Sequence, residues 1–279
     1  MSSRAEPFAD VTAEPGSAKP DPILVVDDVH RQFGGLVAVD VAHLEVERGV
    51  ITAFIGPNGA GKTTFFNLLT GFDEADSGTW RFDGTDVSSM APYTIAQLGM
   101  VRTFQLTKSL GKMSVLDNML LAAPDQRGES IFNALRVGTW RRQEAASKEQ
   151  ALELLERFKL SHMVDEYAAT LSGGQRKLLE MARSLMVKPS LIMLDEPMAG
   201  VNPVLVESLL EHVEALRDDG VSVLFIEHDM DVIMGISDWI VVLGEGRIIA
   251  EGRPTDVAKN PVVIDAYLGT HFAEEAAKP

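Results

Sequence analysis

The chain reads as an α/β protein with a mainly parallel sheet flanked by helices. Three features predict that class. Short β-branched runs alternate with longer helix-period patterns. One apolar run, Ile51–Ile55, leads directly into a glycine-rich segment followed by a helix pattern. A second apolar run, Leu191–Leu194, ends in the acid pair Asp195-Glu196.

The elements follow in order. Ile23–Val26 and His43–Val46 are predicted strands on either side of a turn at Gly34-Gly35, and Ile51–Ile55 is a buried strand. Lys62–Thr70 has the pattern of a helix, closed by Gly71. Trp80–Phe82 followed by Asp83-Gly84 predicts a strand and a turn. From Ser114 to Leu160 the pattern is helical, with Val115, Leu116, Met119 and Leu120 first, then Ala151, Leu152, Leu154, Leu155 and Phe158. Gly173–Val187 is a further helix, stopped by Pro189. Strands return at Leu191–Leu194, Val221–Ile226 and Trp239–Leu243. No internal repeat is present, so one ligand-binding unit is expected, not two. The expected boundaries are a disordered leader at 1–22, one domain at 23–269 with a helical subdomain inserted at about 107–187, and a flexible tail at 270–279.

Bulk properties bound the function. The 279 residues suffice for a buried core in one domain with inserted subdomains. No apolar run approaches the roughly 18 residues of a membrane-spanning helix, and the first 22 residues lack the apolar stretch of a signal peptide. The absence of cysteine excludes disulfides and thiolate metal sites and fits a reducing compartment. A net charge of −16 argues against non-specific nucleic-acid binding, so no nucleic-acid partner is expected. Arg136, Arg141 and Arg142 form a local basic cluster, read as a solvated helix face in preference to a lipid contact.

Gly56-Pro57-Asn58-Gly59-Ala60-Gly61-Lys62-Thr63-Thr64 fits the phosphate-binding pattern G-x-x-x-x-G-K-[ST]. Its glycines let successive backbone N–H groups face a polyphosphate, and the helix that follows adds its positive end. Lys62 is placed to reach the β- and γ-phosphates, and the Thr63 hydroxyl to reach Mg²⁺. Asp195, held rigidly by a buried strand, is a candidate for the magnesium shell. Glu196, one residue on, points elsewhere and is a candidate to polarise a water.

Leu171-Ser172-Gly173-Gly174-Gln175 lies downstream of the phosphate loop. With that stretch in place, residues Ile23–Gly269 resemble an ATP-binding cassette (ABC) ATPase subunit, whose motifs occur in this order. The resemblance implies a P-loop fold of the ABC type, with an antiparallel β subdomain and an inserted helical one. It implies ATP and Mg²⁺ as cofactors. Phe33 matches the residue that stacks on adenine. Gln105, in Arg102-Thr103-Phe104-Gln105, matches the glutamine that touches Mg²⁺ and the attacking water. Ser172, Gly173, Gly174 and Gln175 match the signature that contacts nucleotide held by a facing subunit, and His228 matches the switch histidine. Asn202, in Ala199-Gly200-Val201-Asn202-Pro203, departs from the family's more usual aspartate.

The segments Arg102–Gln105, Ala199–Pro203, Ile226–Met230 and Asn260–Gly269 are similar to those of bacterial branched-chain amino-acid importers. That likeness implies a second ATPase subunit, identical or related, and two transmembrane permease subunits. It implies an extracytoplasmic solute-binding protein acting indirectly, and a peripheral place on the cytoplasmic face of the bacterial plasma membrane. Urea, amide or other solute systems, an exporter ATPase, and a soluble ATPase of iron–sulfur cluster assembly stay open as alternatives.

Overall fold

The computed structural model describes Phe8 and residues 10–103, 110–124 and 137–266, with backbone alone at 137–142 and at position 204. Its frame is a six-stranded sheet in the order β10-β9-β3-β8-β7-β6. The strands are β3 (Ile51–Ile55), β6 (Met100–Arg102), β7 (Leu191–Asp195), β8 (Ser222–Ile226), β9 (Trp239–Gly244) and β10 (Arg247–Gly252). All pairs are parallel except the β9–β10 hairpin. Strands β3, β7 and β8 are buried at every position, as expected of a parallel sheet covered on both faces.

Alternation of side chains across these strands divides the interior in two. Ile51, Ala53, Ile55, Ile192, Leu194, Val223 and Phe225 face one core. That core also contains residues of the helices α3 (Val115–Leu120), α4 (Val137–Arg157), α5 (Gly173–Ser184) and α6 (Pro203–Asp218). Phe54, Leu191, Met193, Leu224 and Ile226 face the other. There they meet α1 (Lys62–Leu69) and an antiparallel sheet ordered β2-β1-β4-β5, with β1 at Pro22–Phe33, β2 at Leu36–Glu47, β4 at Ser77–Phe82 and β5 at Thr85–Asp86.

The α/β class, the Gly34-Gly35 turn and the Asp83-Gly84 turn are as the sequence predicts. The Gly34-Gly35 pair closes a two-residue hairpin in which Phe33 faces Leu36. The first two strands are longer than the apolar runs that announced them. The Gly173–Val187 helix is α-helical to Ser184 and ends in a 3₁₀ turn over Leu185–Val187. The sequence reading passed over α2 (Pro92–Leu98), β6 and α6, along with α7 (Met230–Ile236) and α8 (Pro254–Val257). Of the predicted basic cluster, Arg136 and the side chains of Arg141 and Arg142 lie outside the described residues, as does the tail from position 267 on.

The described residues of the leader, Phe8 and 10–22, are docked where disorder was expected. Phe8 is buried, and its ring lies 4.5 Å from that of Trp239. The Arg253 guanidinium donates to the Phe8 carbonyl. Lys19 reaches Glu251 at 3.4 Å with both side chains almost fully buried, and its ammonium lies 4.4 Å from the Trp239 ring centroid. Glu251 also accepts from the Ser17 N–H at 2.7 Å and from the Trp239 indole at 3.0 Å. The buried Glu251 carboxylate therefore anchors Ser17 and Lys19 of this strap. An aromatic side chain, a counter-charge and a backbone donor dock it against β9 and β10, although the polar and proline-containing composition reads as disorder.

Glu251→Ala would leave the Lys19 ammonium and the indole N–H buried without their partner. The expected loss is roughly 3 kcal/mol of unfolding free energy, measurable by urea denaturation.

Candidate nucleotide-binding site

Parallel register delivers the site's side chains to one edge of the sheet. Phe54 of β3 and Asp195 of β7 both align with Ile226 of β8. The chain therefore leaves β3 into Gly56, β7 into Glu196 and β8 into Glu227-His228 at nearly one level. This is the crevice beyond the strand carboxyl ends where open α/β sheets hold ligands.

The glycine loop has little steric freedom. Gly56 has φ 154°, and a Cβ there would lie 2.1 Å from the Leu243 carbonyl oxygen. Gly61, the residue before α1, has φ 98°, and a Cβ there would lie 2.1 Å from the Ala38 carbonyl oxygen. The loop is thus threaded between β9 and β2. Lys62 is buried and folds back over the loop, donating to the carbonyls of Gly56 at 2.6 Å and Pro57 at 3.0 Å. Burial pushes its pKa down, against the opposing pull of the Glu196 and Asp195 carboxylates. Thr63 is exposed in the first turn of α1.

A cleft of about 340 Å³ opens beside this loop. It is lined by Asn58, Gly59, Ala60, Gly61, Lys62, Thr63 and Thr64 from the loop and helix, by Phe33 with Leu36–Ala38 from the hairpin, and by Glu196 and His228 from the strand ends. Phe33 is half exposed at the cleft, backed by the Arg31 guanidinium 4.6 Å from its ring. Two of the three groups predicted as catalytic meet directly: His228 Nε2 is 2.8 Å from Glu196 Oε1. Glu196 has a left-handed backbone, φ 48°, rare for a residue with a side chain and a mark of local constraint.

Asp195 is nearly fully buried. Its Oδ2 accepts from Arg102 at 2.7 Å, and its Oδ1 is buried with no hydrogen-bond partner among the described residues. Arg102 also donates to Asn67 of α1 at 2.7 Å. The carboxylate is thus locked at one oxygen and bare at the other, which suits a hard divalent ion. Among the described residues no cluster of three or more His, Cys, Asp or Glu side chains could form a protein cage. A single carboxylate oxygen of this kind fits Mg²⁺, an ion that keeps waters and substrate phosphates as most of its ligands. Gln105 lies outside the described residues.

The Ser172–Gln175 segment is apart from this cleft, at the start of α5. Ser172 caps the helix: its hydroxyl accepts from the Gln175 N–H at 3.3 Å, and the Gln175 side chain accepts from the Ser172 N–H at 2.9 Å. Gly173 is open to solvent, whereas a Cβ on Gly174 would lie 2.4 Å from the Leu205 side chain. Gly174 therefore serves helix packing as well as the small-residue pattern. Asn202 immediately precedes α6, its carbonyl accepting from Leu205 at 2.9 Å and Val206 at 3.1 Å.

Three polar contributors escaped the sequence reading because each acts across the fold. Arg102 holds Asp195. Glu227, whose pKa burial raises, accepts from the Met198 N–H at 2.8 Å. Lys177 of α5 donates to the Glu196 carbonyl at 2.8 Å.

A phosphate loop, a strand-end acid pair and a neighbouring histidine on this sheet define a P-loop ATPase. The chain belongs to the ABC transporter family, whose model matches residues 39–199. A second model, described as branched-chain amino acid ATP-binding cassette transporter, matches residues 247–273. The chain is 45% identical over 252 residues to the probable branched-chain amino acid transport ATP-binding protein LivG of Archaeoglobus fulgidus, covering 90% of this chain and 97% of that one. It is 42% identical over 250 residues to the high-affinity branched-chain amino acid transport ATP-binding protein BraF of Pseudomonas aeruginosa, covering 89% and 98%. A crystal structure of an ABC transporter's ATP-binding cassette in its ADP conformation superposes with a TM-score of 0.77 at 40% identity, covering 89% of this chain and 99% of that one.

Gly61→Ala combines a disfavoured φ with a backbone clash. It should destabilise the fold by roughly 2 kcal/mol or more, read as a lowered urea midpoint at unchanged slope.

Proposed function

We propose that this ABC ATPase is the energy-supplying subunit of a branched-chain amino-acid importer, and that the cleft between Phe33 and His228 is its ATP site. The observation that carries the site assignment is the convergence of Lys62, Asp195, Glu196 and His228 at the ends of three adjacent strands. The solute assignment draws on relatives of nearly equal length that carry that transport name, and on the family match at 247–273.

In this reading Phe33 stacks on the adenine, and the backbone of Gly56–Thr64 donates to the phosphates. Lys62 leaves the Gly56 and Pro57 carbonyls for the β- and γ-phosphates, exchanging two neutral acceptors for charged ones. Asp195 Oδ1 and the Thr63 hydroxyl, with Gln105, would hold Mg²⁺, which when bound would offset the charge that develops on the phosphates during transfer. Glu196 accepts a proton from the attacking water, and His228 turns from Glu196 to the γ-phosphate. Ser172, Gly173, Gly174 and Gln175 complete the site of a facing ATPase subunit, identical or related.

Substrate can drive closure only through a higher affinity for the closed pair. Hydrolysis removes the cross-subunit contacts, and the helices between β6 and β7 pass the opening to two membrane permeases. An external solute-binding protein supplies the amino acid to them. The subunit works peripherally at the cytoplasmic face of the membrane.

Lys62→Ala should weaken ATP binding by roughly a hundredfold and abolish turnover. Glu196→Gln should bind ATP normally, lose about a thousandfold in kcat and accumulate as a closed dimer. Equilibrium binding, phosphate release and size-exclusion chromatography check these outcomes, and full turnover by a correctly folded Glu196→Gln protein would overturn the catalytic assignment. Uptake of leucine, but not urea, by vesicles holding the assembled complex tests the solute.

A further inference from the structure

The turn that carries Glu196 is gripped by α5, the helix that begins at the Leu171–Gln175 segment. Gly174 and Lys177 are three residues apart, one helical turn on the same face. Gly174 packs closely on Leu205, and Lys177 donates to the Glu196 carbonyl at 2.8 Å. These contacts bracket the whole stretch from the acid to the first turn of α6. In the middle of the stretch, Glu227 accepts from the Met198 N–H, and the Glu196 N–H donates to the Ile226 carbonyl at 3.0 Å. Glu196 therefore keeps its left-handed backbone between a β8 carbonyl at its nitrogen and an α5 ammonium at its oxygen. Lys177 is half-buried, so a water replaces it only at the cost of leaving the carbonyl poorly paired.

We propose that Lys177 is a positioning residue for Glu196, and that it couples the Ser172–Gln175 half-site to the hydrolytic turn of the same chain. Any shift of α5 as a neighbour's nucleotide engages Ser172 is transmitted to the Glu196 backbone through this bond and through the Gly174–Leu205 contact. A subunit thereby senses occupancy of its neighbour's site in the geometry of its own acid. The inference rests on the reading of Glu196 as the hydrolytic acid. Its test separates the two.

Full-length Lys177→Met and Lys177→Arg proteins are compared with wild type and Glu196→Gln. The measurements are steady-state ATP hydrolysis, thermal melting, and amide hydrogen exchange of residues 196–201 without nucleotide. Loss of the ammonium in the Met variant should lower kcat about tenfold while KM stays within about twofold. It should speed exchange in 196–201 without a matching change in β3 or β8, and the Arg variant should recover most of both. Should the Met variant fail to fold, Lys177→Gln takes its place in the same measurements. Wild-type kcat and exchange in a folded Lys177 variant, beside an inactive Glu196→Gln, would overturn the inference and leave the acid assignment standing. An active Glu196→Gln would instead refute the acid assignment, and the exchange data would still decide whether Lys177 holds the turn.

Discussion

The alignment of β3, β7 and β8 is the constraint on which the site depends. Those strands pair so that Phe54, Asp195 and Ile226 share one level. A slip of one residue would reverse every side chain between the two cores and carry Asp195 away from the phosphate loop. Full burial on both faces prevents that slip, because Ile192 and Leu194 belong to one core while Leu191 and Met193 belong to the other. The chemistry is thus located by packing, and the loop residues inherit their positions from strand ends that cannot move independently.

Around that edge, charge is distributed in a way that leaves work for a ligand. Asp195 is satisfied at one oxygen only, Lys62 spends its ammonium on two neutral carbonyls, and His228 and Glu196 engage each other. In the proposed reading, each of these partnerships is exchanged for a stronger one with a polyanion. Arg102 differs: buried between Asp195 and Asn67, it connects β6, β7 and α1, so it serves as framework. The two kinds of contact place exchangeable side chains on a rigid scaffold.

Much of this was legible in the sequence where the chemistry is local. The phosphate loop announces itself because glycine spacing, lysine and helix start are contiguous, and Asp195-Glu196 because an apolar strand ends in acids. Ser172–Gln175 was legible as a motif, but the dual use of Gly174 was not, since Leu205 lies far along the chain. Arg102, Lys177 and Glu227 gave no signal, because their partners are brought close only by the fold. Strand β6 and helix α2 were missed for a different reason: at three and seven residues they are too short to establish a period.

The N-terminal strap was misread for a related cause. Its composition is that of an unstructured segment. Phe8, Ser17, Lys19 and Asp21 carry long-range attachments, Asp21 pairing with Arg48, and no residue from 10 to 21 pairs as a strand. Attachment at a few points leaves the sheet register indifferent to how much chain runs between them, since closing a slightly longer loop costs little. Natural variation can therefore rewrite, lengthen or shorten the chain between attachments, and the segment can diverge among relatives while its moorings stay fixed.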